Sequence, residues 1–431
     1  MSHSRRYHLV TLGCPKNEVD SDKVEGTLLA EGMAAVDHAG DADLIVVNTC
    51  AFIESARQES IDTILALDQA RRQGSRLVVT GCMAERYGDE LAEALPEVDA
   101  VVGFGGPMLA PPPEPAATRV QVSLGPTRRS APQPPALDLL NLPRPASTRP
   151  WAYVKVAEGC DRKCGFCAIP SFRGPQRSRS IDDIVAEVEQ LNVREVVLVA
   201  QDLASFGKDV GRAGDIVGLV RAVADMVDRV RLLYLYPSDL NDALIDVIVG
   251  SGVPYFDLSL QHVSAPLVRR MRRWGNGDKF LDRIEHIRNL APDAALRSNF
   301  IVGYPGETED DHSRLLDFVQ AAQLDWCGFF SYSREQGTYA ADLDGEVPEG
   351  LMSERLSELT EMQDRITFER RSALIGQTME VLVDEPGVAR SHREAPEIDG
   401  VVLVPEQLQT GSLCMVRVTD SDGPDLIAEP V

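Results

Sequence analysis

The chain has 431 residues, of which 44% are hydrophobic and 26% charged, a composition typical of a soluble globular protein of two or three domains. Its formal net charge of −24 disfavours direct binding to nucleic acid or membrane phosphates and favours a basic partner. No stretch approaches the roughly 18 apolar residues of a membrane span, and no apolar signal-peptide region follows the amino terminus, so the sequence predicts a cytoplasmic protein without a membrane partner.

The amino-terminal segment, residues 1–105, repeats one pattern three times. Three apolar, strand-like runs each lead into a cysteine: residues 7–13 into Cys14, 43–49 into Cys50 and 76–81 into Cys82. Helical patterns follow, the clearest at 51–72 and 84–95. Continuous apolar strands that alternate with helices predict a parallel α/β domain covered on both faces.

The carboxyl ends of parallel strands lie along one edge of a sheet, which is where ligands bind in such domains. The three cysteines, 36 and then 32 residues apart, can therefore converge at one place. Spacing alone leaves two interpretations open, a shared metal site or three separate buried cysteines.

Residues 106–150 are dense in proline and predict an extended linker, because proline cannot supply the hydrogen bonds of regular ladders. Residues 151–345 then return to strand-like runs at the spacing of β/α units. These runs are 151–157, 195–202, 231–236, 255–261, 296–303 and 325–333. Six consecutive units, with helical patterns such as 181–191 between them, predict a partial (β/α)6 barrel whose active face is at the strand carboxyl ends.

Residues 346–372 predict a connecting helix. Residues 373–431 contain short strand-like runs separated by turn residues, which predicts a small antiparallel β-barrel.

The stretch EGCDRKCGFCAIP places Cys160, Cys164 and Cys167 within eight residues, after the first strand of the barrel. Structural zinc sites usually show two paired ligand clusters, and no second CxxC is present. Zinc or purely structural cysteines remain alternatives. The spacing favours a 4Fe–4S cluster held by three thiolates, with one iron left free to bind a small molecule.

These residues resemble the radical S-adenosylmethionine (SAM) enzymes, in which the free iron binds SAM and its cleavage gives a 5′-deoxyadenosyl radical. Further stretches resemble the methylthiotransferases of that superfamily over nearly the whole chain, the linker excepted. They are TLGCPKNEVDS (11–21), VVNTCAFIESARQES (46–60), GCMAERY (81–87), LVAQDLASFG (198–207), LSLQHVS (258–264), FIVGYPGET (300–308) and a TRAM-like carboxyl-terminal barrel.

The resemblance implies two 4Fe–4S clusters and SAM as cofactors. Cys160, Cys164 and Cys167 would hold the cluster that binds SAM and makes the radical. Cys14, Cys50 and Cys82 would hold a second cluster, which carries the sulfur that is methylated and inserted as a methylthio group. An electron donor such as flavodoxin or ferredoxin is an implied partner.

The family has a branch that modifies a tRNA adenosine and a branch that modifies the β-carbon of an aspartate in a small-subunit ribosomal protein, protein twelve. LGCPKNEVDS, AFIESA, AIPSFRG and EAPEIDG resemble the ribosomal-protein branch. Residues 373–431 carry 11 Asp and Glu against 3 Arg and no Lys, a net charge of −8, which suits a basic protein better than tRNA. The tRNA branch is the alternative, and a non-catalytic iron–sulfur carrier is a third hypothesis.

The remaining candidates have two interpretations each. Gln201, Gln261 and Arg297, with Asp202 and His262, lie at or near barrel strand ends and are candidate SAM contacts, although each could instead satisfy core hydrogen bonds. His262 fits a packed side chain better than a metal ligand. The run RRMRRW (269–274) predicts either an anion contact or a solvated helix face. Cys327 and Cys414 are expected to be small buried side chains, and Gly303 and Gly306 turn residues.

Overall fold

The computed structural model describes residues 5–106, 108, 138–212 and 215–431, and their contacts separate the chain into two units. The first unit comprises the described residues of Met1–Pro145 together with Ile169–Gly174. The second comprises those of Ala146–Ala168 and Pro175–Val431. Among these residues, no helix is both long enough and apolar enough to span a bilayer.

The first unit is built on a parallel sheet with strand order β2-β1-β3-β4-β5. The strands are β1 (Arg6–Thr11), β2 (Ala34–Ala35), β3 (Leu44–Thr49), β4 (Arg76–Gly81) and β5 (Ala100–Val101). The main helices are α1 (Pro15–Ala30), α2 (Glu54–Ala70) and α3 (Cys82–Ala94). Every residue of β3 is buried, as expected for a central parallel strand that is covered on both faces. The predicted parallel α/β domain is confirmed.

Two further segments belong to this unit although the sequence suggested otherwise. Within the predicted linker, residues 107 and 109–137 lie outside the described residues, but residues 138–145 pack on α1. Lys23 Nζ donates to Leu142 O at 2.7 Å, and Arg144 pairs with Asp22 at 2.7 Å. The second segment, residues 169–174, forms the short helix α4 (Ile169–Arg173) and carries a side chain of the candidate site.

The second unit contains six parallel strands in two sheets. The strand orders are β10-β9-β6 and β11-β12-β13. A parallel bridge between Leu235, which follows β10, and Leu258 of β11 links the two sheets. The strands are β6 (Trp151–Lys155), β9 (Glu195–Val199), β10 (Arg229–Leu232), β11 (Tyr255–Gln261), β12 (Ala295–Val302) and β13 (Trp326–Ser331). A small antiparallel pair, β7 (Ala157–Glu158) with β8 (Arg177–Ser178), follows β6. The predicted partial barrel is confirmed.

Helices connect these strands and begin where the sequence provides N-caps. They are α5 (Ile181–Leu191), α6 (Asp215–Ala224), α7 (Asp242–Val249), α8 (Ala265–Arg270), α9 (Gly277–Leu290) and α10 (Glu309–Ala322). Side chains of Ser180, Asn241 and Asn276 accept backbone N–H bonds at the starts of α5, α7 and α9, and Thr308 forms a capping box with Asp311. Short 3₁₀ turns occur at Ala39–Asp41, Leu139–Asn141, Leu203–Ser205, Lys208–Val210, Pro237–Asp239 and Tyr339–Asp342.

Helix α11 (Glu349–Ser372) leads into a closed five-stranded barrel of order β14-β15-β16-β18-β17. Its strands are β14 (Thr378–Glu385), β15 (Val388–Arg390), β16 (Val402–Leu403), β17 (Leu413–Asp422) and β18 (Asp425–Pro430). The small barrel is confirmed, with one difference: β16 and β18 pair in parallel, while the other pairs are antiparallel. Closure leaves no strand edge free to pair with another chain.

Candidate active site

Cys14, Cys50 and Cys82 lie at the carboxyl ends of three neighbouring strands of the first unit. Cys14 precedes α1, Cys50 follows β3, and Cys82 begins α3. Gly13 adopts φ +100°, and a Cβ at that position would lie 2.8 Å from Cys50 Cβ and 3.0 Å from Cys50 Sγ. Only glycine therefore allows the turn that carries Cys14 to pack directly against Cys50.

Asn17 connects the third cysteine to this turn. Its Oδ1 lies 3.5 Å from Cys82 Sγ, and its Nδ2 donates to Leu12 O at 2.9 Å and Thr49 O at 3.0 Å. One fully buried amide thus holds together the loops that follow β1, β3 and β4. The structure brings these three cysteines to one place.

The three thiols have different electrostatic surroundings. Burial raises the pKa of Cys50 to about 11 and also raises the pKa of Cys82. Burial acts in the same direction on Cys14, but nearby Lys16 and Arg173, with backbone N–H donors, bring the Cys14 pKa below its ordinary value. The site therefore contains fixed positive charge close to its sulfur atoms, as a site for thiolates requires.

Arg173 is a residue of this site that the sequence analysis missed. Its Nη2 donates to Cys82 Sγ at 3.0 Å, to Asn17 Oδ1 at 2.8 Å and to Asp20 Oδ2 at 3.2 Å, and its side chain is 3% exposed. The guanidinium also stacks over the Phe104 ring at 4.4 Å. The available signal was its position in AIPSFRG, six residues after Cys167, but nothing in that spacing connects it to Cys82.

Cys160, Cys164 and Cys167 lie between β7 and α4 in the second unit, each half-buried. Cys167 N donates to Cys164 O at 3.2 Å. Gly165 N donates to Met271 O at 2.8 Å, and Gly165 O accepts from Ala340 N at 2.7 Å. A Cβ on Gly165 would lie 2.8 Å from the Tyr304 hydroxyl. These contacts fix the backbone between the second and third cysteines.

Two arginines surround this loop. Arg273 Nη1 donates to Cys164 Sγ at 3.0 Å, and the backbone N of Arg162 lies 3.4 Å from Cys160 Sγ. Both guanidinium groups stack on the Tyr236 ring, at 3.9 Å for Arg162 and 4.4 Å for Arg273. Burial raises the pKa of Cys160 to about 11. This site, like the first, supplies sulfur atoms together with N–H donors directed at them.

The chain is similar over nearly its full length to ribosomal protein uS12 methylthiotransferases RimO. It is 41% identical to the protein of Cutibacterium acnes, covering 99% of this chain and 98% of that relative. The Frankia casuarinae protein is 41% identical, and the alignment covers 99% of this chain and 92% of that relative. The Streptomyces griseus protein is 39% identical, with 100% of this chain and 98% of that relative covered. This chain belongs to the RimO family. The predicted family and its ribosomal-protein branch are confirmed.

Three family models match consecutive parts of the chain. The uncharacterized protein family UPF0004 matches residues 6–103, the Radical SAM superfamily residues 154–319, and the TRAM domain residues 375–431. Among solved structures, a radical S-adenosylmethionine methyltransferase, TsrM from Kitasatospora setae, with cobalamin and a 4Fe–4S cluster bound, aligns with a TM-score of 0.51. That alignment covers 95% of this chain and 84% of TsrM at 14% identity, so it supports the fold alone.

The donor sets in both RimO sites suit iron–sulfur clusters. N–H donors to the sulfurs, present in both sites, are the outer-shell contacts that such clusters use. These contacts fit thiolates that would serve as cluster ligands.

Gln201 and Gln261 lie at the carboxyl ends of β9 and β11, on the side of the cysteine loop. Gln201 Nε2 donates to Glu158 Oε1 at 3.0 Å, while its Oε1 is buried without a hydrogen-bond partner. Gln261 adopts φ +72° at an irregularity of β11. A buried free acceptor and a strained non-glycine backbone are features of ligand sites. Asp202 instead accepts from Arg162 Nε at 2.6 Å.

Arg297 lies at the opposite end of its strand from the cysteine loop. It is the third residue of β12, near the amino end of the strand, whereas the cysteine loop follows the carboxyl end of β6. Its Nη1 donates to Asp257 at 3.3 Å and its Nε to Asp399 at 3.2 Å. Arg297 therefore links β12 to the segment between β15 and β16, which fits the alternative interpretation that it satisfies core hydrogen bonds.

We expect Arg297→Ala to lower the thermal midpoint without changing SAM affinity. The substitution leaves Asp257 and Asp399, each 2% exposed, without their cation. SAM binding by isothermal titration and thermal denaturation measure the two effects. A large loss of SAM affinity at unchanged stability would contradict this placement, and Gln201→Ala is the comparison variant for which lost affinity is expected.

The remaining candidates are packed side chains, turn glycines and arginines, one of which contacts a barrel cysteine. His262 is fully buried, its Nδ1 accepts from Ser264 N at 3.1 Å, and burial lowers its pKa to about 4, so it is a neutral packed side chain. Cys327 and Cys414 lie in strands but are half-buried rather than fully buried. Gly303 and Gly306 both have positive φ. The four arginines of RRMRRW have different surroundings. Arg273 contacts Cys164, and Arg272 stacks on Tyr339 at 3.6 Å. Arg270 pairs with Asp344 at 3.0 Å, and Arg269 is exposed.

Proposed function

We propose that this chain is a radical SAM methylthiotransferase that installs a methylthio group on the β-carbon of an aspartate in ribosomal protein uS12. One observation carries the proposal: a chain of the RimO family contains two separate three-cysteine sites, each with an arginine nitrogen that donates to a cysteine sulfur at 3.0 Å. A carrier that only stores a cluster needs neither a second site nor a six-stranded barrel.

The three thiolates of each site would hold one 4Fe–4S cluster. Cys160, Cys164 and Cys167 would hold the cluster that binds SAM, and Cys14, Cys50 and Cys82 would hold the cluster that carries sulfur. When bound, these groups supply the radical that removes hydrogen from the substrate carbon and the sulfur that replaces it. The protein binds, orients and desolvates the reactants.

Several residues of the chain perform that positioning. Arg273 orients the Cys164 sulfur, and the stacked Arg162 is anchored by Asp202 and so fixes the Cys160 end of the loop. Gln201 offers its free Oε1 as an acceptor for a SAM N–H or O–H group. Gln261, on the neighbouring strand β11, is the second candidate contact.

The surface of the TRAM-like barrel supports a basic protein as the substrate. Residues 373–431, all described, contain three arginines, and two of these are unavailable to a partner. Arg390 is 2% exposed and pairs with Glu195 and Asp384, and the side chain of Arg393 is 11% exposed. Exposed positions include Glu380, Glu385, Glu406, Asp420 and Glu429. An RNA-binding module needs the opposite charge.

A uS12 substrate places the reaction in the cytoplasm, and the electrons for SAM cleavage come from a flavodoxin or ferredoxin. The alternative substrate is a tRNA adenosine, as in the MiaB type, and the acidic barrel disfavours it. Mass spectrometry of uS12 and of tRNA from a deletion strain and its complemented control separates the two. We expect the methylthio mass to be missing from uS12 alone. Loss from tRNA with uS12 unchanged would overturn the choice.

A further inference from the structure

Several buried contacts fix the side chain of Arg173 beside the N-terminal cysteine site, which is formed by Cys14, Cys50 and Cys82. Its guanidinium donates to the carboxylate of Asp20 and the amide of Asn17, and the Phe104 ring covers one face. With these contacts made, the Nη2 nitrogen lies 3.0 Å from Cys82 Sγ and donates to it. The arginine cannot rotate away from the sulfur without breaking buried hydrogen bonds.

A charge fixed in this way acts strongly on a neighbouring cluster. The reduction potential of an iron–sulfur cluster depends on its net charge, on hydrogen bonds to its sulfurs and on solvent exposure. Reduction adds one negative charge, so an N–H donor and a positive charge stabilise the reduced form more than the oxidised form. Asp20, 2% exposed and paired with Arg173 at 3.2 Å, opposes that effect. Screening by water is weak at this depth.

We propose that Arg173 is a positioning residue that raises the reduction potential of the cluster in the N-terminal site through Cys82, and that Asp20 partly offsets it. The inference rests on the proposed assignment of a cluster to Cys14, Cys50 and Cys82. It also gives a reason for residues 169–174 to belong to the first unit rather than to the barrel that precedes and follows them in sequence. The short helix α4 places Arg173 against the sulfur of Cys82.

A purely structural role predicts something different. If Arg173 only tied α4 to α1, removing it would lower stability or iron content and leave the potential of the retained cluster unchanged. Removing Asp20 would then also lower stability or iron content, as removing Arg173 does, because the same ion pair is broken. The electrostatic role instead predicts shifts of opposite sign for the two substitutions.

The test uses the full chain with Cys160, Cys164 and Cys167 replaced by alanine, so that one cluster is observed. In this background we compare Arg173→Met, Arg173→Lys and Asp20→Asn by redox titration followed by electron paramagnetic resonance, with iron content and circular dichroism recorded for each. Arg72→Met, which removes an arginine that pairs with Asp43 at the surface of the same unit, is the matched control.

We expect Arg173→Met to lower the equilibrium constant for cluster reduction roughly tenfold, about 59 mV for a one-electron couple. Arg173→Lys keeps the positive charge but loses the planar guanidinium group, so the potential falls by less. Asp20→Asn raises the potential. Arg72→Met leaves it unchanged. Equal potentials in all variants, or shifts of the same sign for Arg173→Met and Asp20→Asn, would overturn the inference while leaving the two-cluster proposal intact. A background variant that binds no iron would overturn both. If Arg173→Met does not fold, Arg173→Lys and Asp20→Asn decide.

Discussion

We expect the replacement of Cys160, Cys164 and Cys167 with alanine to lower the iron content from about eight to about four per chain, as the loss of one of two 4Fe–4S clusters requires. We expect this variant to lose both SAM cleavage and modification of uS12. Replacing Cys14, Cys50 and Cys82 is also expected to remove about half of the iron, but this second variant should still cleave SAM because the barrel site is intact. We expect it to lose only the transfer of sulfur.

The two triple variants therefore separate radical formation from sulfur insertion. Iron analysis of anaerobically reconstituted protein, release of 5′-deoxyadenosine under a chemical reductant, and mass spectrometry of a uS12 peptide are the three measurements. Cys327→Ala and Cys414→Ala are matched controls, because these half-buried cysteines lie in β13 and β17 and belong to neither site. Both controls keep full iron and full activity.

Two results would contradict this division of labour. An intact protein that binds only about four irons has a single cluster, and the second site is then structural. SAM cleavage lost in the Cys14, Cys50 and Cys82 variant, with iron retained in the barrel site, would mean that radical formation depends on the N-terminal cysteines. Either outcome leaves RimO membership untouched, since that rests on sequence identity.

The sequence was most informative where one local rule decided the structure. Continuous apolar runs predicted the buried strands, and 76–81 and 255–261 have the same bounds in the structure. Helix 181–191 matches as well, because Ser180 caps it and the αL residue Asn192 ends it. Cysteines directly after strands must lie at one sheet edge, which is how Cys14, Cys50 and Cys82 could be picked out.

Contacts that depend on tertiary structure were beyond such rules. Arg173 and Arg273 each lie 3.0 Å from a cysteine sulfur, yet they are separated from Cys82 and Cys164 by 91 and 109 residues. The sequence could not show at which end of its strand Arg297 lies, and the structure places it near the amino end of β12, away from the cysteine loop. Strand β15 is three residues long and has no periodicity to detect.

We expect Glu195→Ala to lower the stability of the second unit by about 3–5 kcal/mol, the range for a buried charge network that loses one partner. Glu195 is fully buried at the first residue of β9. It accepts from Arg231 Nε at 2.8 Å and from Arg390 Nη1 at 3.1 Å. Arg390 belongs to β15 of the TRAM-like barrel, so this carboxylate joins two layers of the unit. Its removal leaves two buried guanidinium groups without their shared anion.

Arg194→Ala is the matched control. Arg194 is the adjacent residue, and it pairs with Asp228 at 3.0 Å with side chains 57% and 42% exposed. Losing such a surface pair costs less than about 1 kcal/mol. All three tryptophans, Trp151, Trp274 and Trp326, lie in the second unit, so tryptophan fluorescence during urea denaturation of the apo protein reports this unit alone. Equal midpoints for the two variants would show that the buried network adds nothing over a surface pair.

The same carboxylate predicts how stability depends on pH. Burial favours the protonated form of Glu195, but Arg390, Arg231 and Arg229 outweigh it and hold its pKa at about 2, below the ordinary value of 4.5. A carboxyl whose pKa is lower in the folded state contributes stability above its unfolded pKa and loses that contribution as the pH falls towards its folded pKa. Stability should therefore fall between about pH 4.5 and pH 2.

Glu195→Gln distinguishes this carboxylate from the others in the network. The amide cannot ionise, so the variant lacks the contribution at every pH, and the difference in urea midpoint from the parent protein shrinks as the solution is acidified. Some acid dependence remains, because Arg371 and Ser391 hold the pKa of buried Glu394 at about 2 as well. A midpoint difference that stays constant from neutral to acidic pH would mean that Glu195 stabilises the unit by shape and hydrogen bonding rather than by its charge.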